Sequence, residues 1–309
     1  MRDDIHDAAR GRWRNILLEA GVPATALNGK HGPCPMCGGK DRYRWTNRTG
    51  SGSYFCNTCG PGTGVDLVMK VKGVSFREAR TWILQQIGTS PVEAPRAPRN
   101  NERGMERIQS LWSASRRLSG DDVASQYLRS RGLQIEDYPT QLRFNHRAAY
   151  RHDDGRITHH PALVAKMVSP DTKSWTLHHT FLDEHGNKAN VPKPRKLAPV
   201  AIPIGGAVRL SRSAETMGIA EGIETALSAA QLFDVPVWAA LSAGAMVKWE
   251  PPVTAKNILI FGDADAGYAG QAAAYTLAHK LAGKGLQVDV RLPPDVGSDW
   301  NDVVMADLR

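Results

Sequence analysis

No apolar run in this sequence reaches the ~18 residues that a membrane-spanning helix requires. That absence argues against an integral helical membrane protein. The first residues, MRDDIHDAARGRW, carry acids and no apolar core segment, so a secretory signal is not expected there. There is no internal repeat and no G-x-x-x-x-G-K-[ST] phosphate-binding loop. Cysteine is scarce: four residues in 309, all between positions 34 and 59. These absences together predict a soluble, cytoplasmic chain with no membrane partner.

With 41% hydrophobic and 23% charged residues, the chain has the composition of a globular protein long enough for two or three domains. The net charge of +8 is unevenly placed. Residues 1–90 carry 13 Lys/Arg against 7 Asp/Glu, and residues 91–200 carry 18 against 12. Residues 201–309 reverse the balance, with 8 against 12. Basic surface suits a polyanion such as nucleic acid, because each neutralised phosphate releases counterions. An acidic third works through a cation instead.

The cysteines form two pairs, Cys34-Pro-Met-Cys37 and Cys56-Asn-Thr-Cys59, separated by eighteen residues. Two disulfides in a secreted protein would be one reading. Without a signal peptide, C-x2-C…C-x2-C is the spacing of a zinc ribbon, each pair aiming two thiolates at one ion. A site closed by four thiolates holds structural zinc. His31, three residues before Cys34, is a substitute ligand or a surface loop histidine, and four available thiolates favour the second. Between the pairs, Arg42, Tyr43, Arg44 and Trp45 alternate basic and aromatic as a short strand would. Gly50-Ser51-Gly52-Ser53 turns the chain, and Tyr54-Phe55 return. Aromatics beside cations suit single-stranded nucleic acid, where bases stack and phosphates pair. The same aromatics are also the natural core of so small a ribbon. One face is expected to be core and the other to bind, with Lys40, Arg42, Arg44 and Trp45 as the candidates.

An amphipathic segment over 5–20 precedes the ribbon, and helices are predicted over 65–71 and from Ser75, an N-cap with Glu78 three residues on, to about Ile87. Residues 89–104, with three prolines and no apolar period, read as a linker. A zinc-binding domain therefore spans 1–88, with the ribbon at about 28–66, and a mixed α+β connecting domain spans 105–210. In the latter, helices are predicted near 105–118 and 121–131, then strands and turns over 140–200. Lys188, Lys193, Arg195 and Lys196 crowd into nine residues with two prolines, an extended basic segment. Such a segment is either a solvated loop or a phosphate contact. From 211 to 309 strands and helices alternate, which means a parallel sheet flanked by helices, an α/β fold of Rossmann type. Ligands of such sheets bind beyond the carboxyl ends of strands. Glu221 follows the strand 217–220, and Asp263 and Asp265 lie at the end of the strand NILIFGD, residues 257–263. Asp299 and Asp302 come after the strand of residues 286–293. Converging carboxylates without a basic neighbour in sequence form a hard-cation site suited to Mg²⁺ and a substrate phosphate.

IAEGIETALSAA, FGDADAGYAGQAAA and SDWND together resemble the Toprim fold shared by primases, topoisomerases and some repair proteins. HGPCPMCGGKDRYRW…YFCNTCGPGTGVDLV is similar to the zinc ribbon of satellite-phage and plasmid alpha-type DNA primases, and HHTFLDEHGNKANVPKPRKL resembles their connecting segment. The resemblance implies a primase, a nucleotidyltransferase making RNA primers on a single-stranded DNA template from NTPs for a phage, plasmid or other mobile element. It implies Asp263, Asp265 and Asp299 as ligands of Mg²⁺ or Mn²⁺, with Asp302 a further candidate. Glu221 would bind metal or take the hydroxyl proton. Lys193, Arg195 and Lys196 would meet triphosphate or template. Larger members continue into a helicase; here a separate replicative helicase is the expected partner. The rival readings are a zinc-finger/Toprim recombination mediator without catalysis and a Toprim nuclease. A type I topoisomerase needs a nucleophilic tyrosine in further domains.

Overall fold

The computed structural model describes residues 3–47, 50–87 and 101–308. It divides into two compact units, Met1–Pro98 and Arg99–Arg309. The first opens with α1 (Asp3–Ala8) and α2 (Trp13–Glu19), where one amphipathic segment was expected. Gly11, at φ 75, breaks the helix between them. A 3₁₀ turn at Ala24–Leu27 leads into an antiparallel sheet in sequence order: β1 (Gly32–Cys34), β2 (Gly38–Trp45), β3 (Tyr54–Cys56) and β4 (Gly60–Gly62). Two helices close the unit, α3 (Gly64–Lys72) and α4 (Phe76–Ile87). Both start on reciprocal caps. Thr63 and Asp66 exchange bonds at α3, and the Ser75–Glu78 box foreseen in the sequence forms at α4. The core joins Trp13, Ile16 and Leu17 to Tyr43, Trp45, Tyr54, Leu67 and Ile83.

The second unit begins with α5 (Asn101–Ala114), so the helix starts within the last residues of the expected linker; positions 89–100 lie outside the described residues. The helix stops at 114 rather than 118 because Arg116–Arg117 pair as β5 with β6. The elements that follow are α6 (Val123–Ser130), β6 (Leu142–Arg151), β7 (Ile157–Val168), β8 (Trp175–Phe181), β9 (Arg195–Leu197) and the two-residue β10 (Ala207–Val208). The α/β alternation is then regular: β11 (Thr216–Ala220), α7 (Ile223–Phe233), β12 (Val237–Ala239), α8 (Ala243–Met246), β13 (Asn257–Phe261), α9 (Ala269–Ala282), β14 (Gln287–Arg291) and α10 (Trp300–Asp307).

One ten-stranded sheet runs through this unit. Its main path is β14-β13-β11-β12-β10-β7-β6-β5, with β8 and β9 attached through β7. The four strands β14, β13, β11 and β12 are parallel. β10 is antiparallel to both neighbours: Val208 pairs with Ala239 of β12 and with Met167 of β7. The boundary expected at 210/211 thus falls inside a shared sheet. Alternate residues of the parallel strands serve opposite helix layers. Met217, Ile219, Ile258 and Ile260 pack with Met246, Leu277 and Leu281. Ala220, Leu259 and Phe261 pack with Leu128, Ala226 and Trp300.

Candidate active site and zinc centre

Each cysteine pair sits at a strand end, where the chain turns sharply. The amide of Met36 donates to Cys34 Sγ and that of Cys59 to Cys56 Sγ, both at 3.4 Å. Such bonds aim the sulfurs inward and stabilise thiolate. All four cysteines are free of disulfides, and their sulfurs lie within 4.8 Å of one another. A tetrahedron of ~2.3 Å Zn–S bonds has edges of about 3.8 Å, and Cys37 and Cys56 stand 3.7 Å apart. The donor set fits zinc. His31 is exposed and turned to the Asp41 carbonyl at 3.2 Å, outside this cluster.

β2 and β3 sort the ribbon's side chains by face. Tyr43, Trp45 and Tyr54 are buried, with Tyr43 and Tyr54 stacked at 5.5 Å. Trp45 is 1% exposed, and its indole N–H donates to the Gly52 carbonyl. It is a core residue and offers no face to a base, which corrects its place among the binding candidates. The opposite face presents Arg42, Arg44 and the 46%-exposed Phe55, which pairs with Arg44 across the strands. Arg42 and Arg44 bond to neutral acceptors, Thr58 Oγ1 and the Gly29 carbonyl. Lys40 is exposed nearby in the same strand.

In the second unit the strand register aligns the acids. Ala220 of β11 pairs with Phe261 of β13, so the residues leaving both strands emerge side by side at the carboxyl edge. β12, which lies between them in sequence, is displaced to the far side of β11. Two backbone bonds then carry the last acid into place. Ala264 N donates to Ser298 O at 3.0 Å and Gly297 N donates to Ala264 O, which tie the Asp263–Asp265 loop to the segment entering Asp299. Gly270 allows the return path: a Cβ there would stand 2.7 Å from the Asp263 carbonyl.

Asp263 is the centre. Burial pushes its carboxyl up to about 7, and the charges of Glu221, Asp299 and Asp265 add to this, against Arg195. Its Oδ1 is buried with no hydrogen-bond partner. Burial also raises Glu221, helped by Asp265 and opposed by the Ala243 amide and Arg195. Asp265 Oδ2 accepts from Gly270 N at 2.9 Å, so one of its oxygens also holds the loop. Asp299 caps α10, its Oδ1 accepting from the amides of Asn301 and Asp302. Asp302 answers by accepting from Asp299 N. Asp302 is exposed, completes a capping box, and is absent from the charges acting on Asp263. Its place is the helix cap. Among the described residues only the cysteines bring three or more ligand atoms within 4.8 Å. The acids stand farther apart than that. An orphaned, crowded carboxylate oxygen and oxygen-only donors fit Mg²⁺, which takes few carboxylates and keeps waters.

The basic segment splits across its strand. Arg195 Nη1 lies 4.0 Å from Glu224 Oε2, and its charge acts on Glu221 and Asp263. Lys196 is on the other face, its ammonium 3.9 Å from the Tyr150 ring centroid and bonded to the Arg151 carbonyl. It is thereby removed from the acids by strand alternation. Lys193 is exposed. Two residues not anticipated from the sequence join the site. Glu224, buried in the first turn of α7, accepts a short hydrogen bond from the Tyr127 hydroxyl of α6. Burial lifts its carboxyl, but Tyr127, its own amide, Arg195 and Lys188 more than reverse this and hold it below the usual range. A buried Glu three residues after Glu221 was legible as a helix-face acid. Its tyrosine partner, 97 positions away, was not.

Residues 216–309 match the family model of the Toprim domain, and residues 29–65 match the zinc-binding domain of primase-helicase. Between them, residues 102–210 match a domain of unknown function (DUF7146). The chain therefore carries a primase-type zinc ribbon and a C-terminal Toprim domain. Solved structures with a similar course include a DNA primase domain from Pseudomonas aeruginosa, at 15% identity and TM-score 0.45, covering 66% of this chain and 75% of that one. The primase fragment of the bacteriophage T7 primase-helicase protein aligns at 16% identity and TM-score 0.40, covering 90% and 95%. The zinc-binding and RNA polymerase domains of the Aquifex aeolicus primase align at 14% and 0.36, covering 98% and 82%. No helix among the described residues is long and apolar enough to cross a membrane.

Proposed function

We propose that this chain is a DNA primase, a DNA-directed RNA polymerase that makes short primers on a single-stranded template. The observation that carries the reading is Asp263, at the carboxyl edge of a parallel sheet, with a buried unpartnered Oδ1 and a carboxyl on which the charges of Glu221, Asp299 and Asp265 act. In primer synthesis the 3′-hydroxyl of one nucleotide attacks the α-phosphate of the next, and pyrophosphate leaves. A bound divalent cation supplies charge stabilisation for the attacking and leaving oxygens. Asp263, Asp265 and Asp299 would hold it. Glu221, half-buried with its carboxyl raised, either completes that set or accepts the hydroxyl proton. Arg195, 53% exposed on the side chain and beside the acids, is placed to meet phosphate oxygens, where a fixed guanidinium contributes most as charge develops. Lys193 adds an exposed cation on the approach. Lys196, turned to Tyr150, takes no part.

The ribbon would hold the template, with Arg42, Arg44 and Lys40 toward phosphate and Phe55 in place of Trp45 for stacking on a base. A replicative helicase on a separate polypeptide and a phage, plasmid or other mobile element as the setting complete the reading. The test is incubation of the protein with single-stranded DNA, the four NTPs and Mg²⁺, followed by gel analysis of RNA products. Short RNA from wild type and at least about a hundredfold less from Asp263→Asn is expected. Template binding without RNA would make the chain a clamp of the recombination-mediator kind. Shortened DNA would make it a nuclease.

A further inference from the structure

Arg195 contacts one acid and acts on two more. Its Nη1 lies 4.0 Å from Oε2 of Glu224, buried in α7, and that oxygen is 3.8 Å from where a Cβ of Gly222, the residue after Glu221, would stand. Its charge lowers the carboxyls of Glu221 and Asp263 against their burial. A guanidinium beside two crowded carboxylates gains most by closing on them through paired hydrogen bonds. Closed in that way, it would occupy the oxygens a divalent cation needs. Glu224 stands where it opposes this. Its Oε1 is engaged by the Tyr127 hydroxyl, which fixes the carboxylate plane and leaves Oε2 for Arg195. A buried carboxylate is stable only with such partners. Lys188, exposed, with its ammonium 6.0 Å from the Tyr127 ring centroid, is the other cation whose charge serves this carboxylate.

We propose that Glu224 and Tyr127 are a positioning pair that holds Arg195 away from Glu221 and Asp263, keeping the acid cluster open to a divalent cation. The inference rests on the reading of Glu221, Asp263, Asp265 and Asp299 as a cation site. It gives Arg195 a defined rest position from which its guanidinium can meet a substrate phosphate without leaving the site. It also gives a reason for burying an acid, 6% exposed, in the first turn of α7.

The experiment measures Mn²⁺ affinity of the full-length, zinc-loaded protein by calorimetry and electron paramagnetic resonance. Wild type, Asp263→Asn, Glu224→Gln, Arg195→Ala and the Glu224→Gln/Arg195→Ala double variant are compared. Glu224→Gln keeps a partner for Tyr127 and is expected to weaken Mn²⁺ about fivefold, the upper worth of a half-exposed ion pair. In the Arg195→Ala background the same substitution should change nothing, because the group it restrains is gone. Equal weakening in both backgrounds would mean that Glu224 acts on the cation directly, and overturns the proposal. So does an unchanged affinity in Glu224→Gln. Should Glu224→Gln fail to fold, Tyr127→Phe takes its place in the same cycle. Arg195→Ala, half-exposed in the native chain, must by itself bind Mn²⁺ at least as tightly as wild type; weaker binding overturns the proposal. Mn²⁺ binding that ignores Asp263→Asn removes the cation site itself. Binding that follows Asp263 but ignores Glu224 removes only the positioning role.

Discussion

Asp263 ends in one oxygen that neither solvent nor protein reaches, and its carboxyl is held near 7 by burial and by Glu221, Asp299 and Asp265. In an unfolded chain an aspartate titrates near 4. Between about pH 4 and pH 7 the native protein therefore keeps a proton that the unfolded chain has lost. Stability falls as pH rises through that window, and the whole penalty is present above it. In Mg²⁺-free buffer the second unit should melt at a higher temperature at pH 6 than at pH 8. Asp263→Asn should flatten that difference and melt above wild type at pH 8. Added Mg²⁺ should raise the pH 8 melting point of wild type and leave the variant unmoved. Thermal melts at the two pH values check this, and parallel slopes for both proteins would count against it. The two aspartates of DADAG were recognisable from the sequence as acids sharing one strand end. The bonds of Ala264 to Ser298 and Gly297, which bring the Asp299 segment to the Asp263 loop, join segments more than thirty residues apart and leave no local signal.

Elements turn these residues into a site by what they allow to come close. Gly270 lies in the first turn of α9, where alanine is ordinarily the better helix former. Here a Cβ would stand 2.7 Å from the Asp263 carbonyl and 3.1 Å from the Asp263 Cβ. Gly270→Ala should therefore leave the helix content intact while pushing the Asp263 loop outward. A displacement of a few tenths of an ångström to one ångström at a catalytic group lowers turnover by about ten- to a hundredfold. Circular dichroism and primer yield, measured on the same preparation, check both halves. The alternating strands and helices from 216 onward were legible because short, near-continuous apolar runs and helical runs follow one another with short turns. The helix from 101 was misjudged at its end because Arg116 and Arg117 pair with β6, and pairing with a distant strand leaves no local signal.

For the whole molecule, the two units have separate cores. The ribbon has few buried residues of its own, and metal ligation supplies folding free energy where the core is small. Cys56→Ser should lose zinc and loosen residues 30–65. The second unit, whose core is a ten-stranded sheet between helices, should keep its melting temperature. Metal analysis of the purified variant and a two-transition calorimetric scan check this. A fall in the second transition equal to that in the first would show that the units do not unfold independently.

Composition, cysteine spacing and strand–helix alternation carried the architecture without the structure, because each is a local pattern with one physical explanation. Four thiolates at C-x2-C spacing serve one ion, and acids at strand ends of a parallel sheet share an edge. Three things were decided only in three dimensions. Trp45 faced two uses, core or base-stacking, and the β2–β3 pairing committed it to the core while exposing Phe55. Lys196 and Arg195 read alike in a basic run until β9 paired with β8 and alternation sent them to opposite faces. Glu224 acquired its role only when α6 brought Tyr127 against α7. In each case the deciding partner is distant in the chain, and the face a side chain takes depends on that partner.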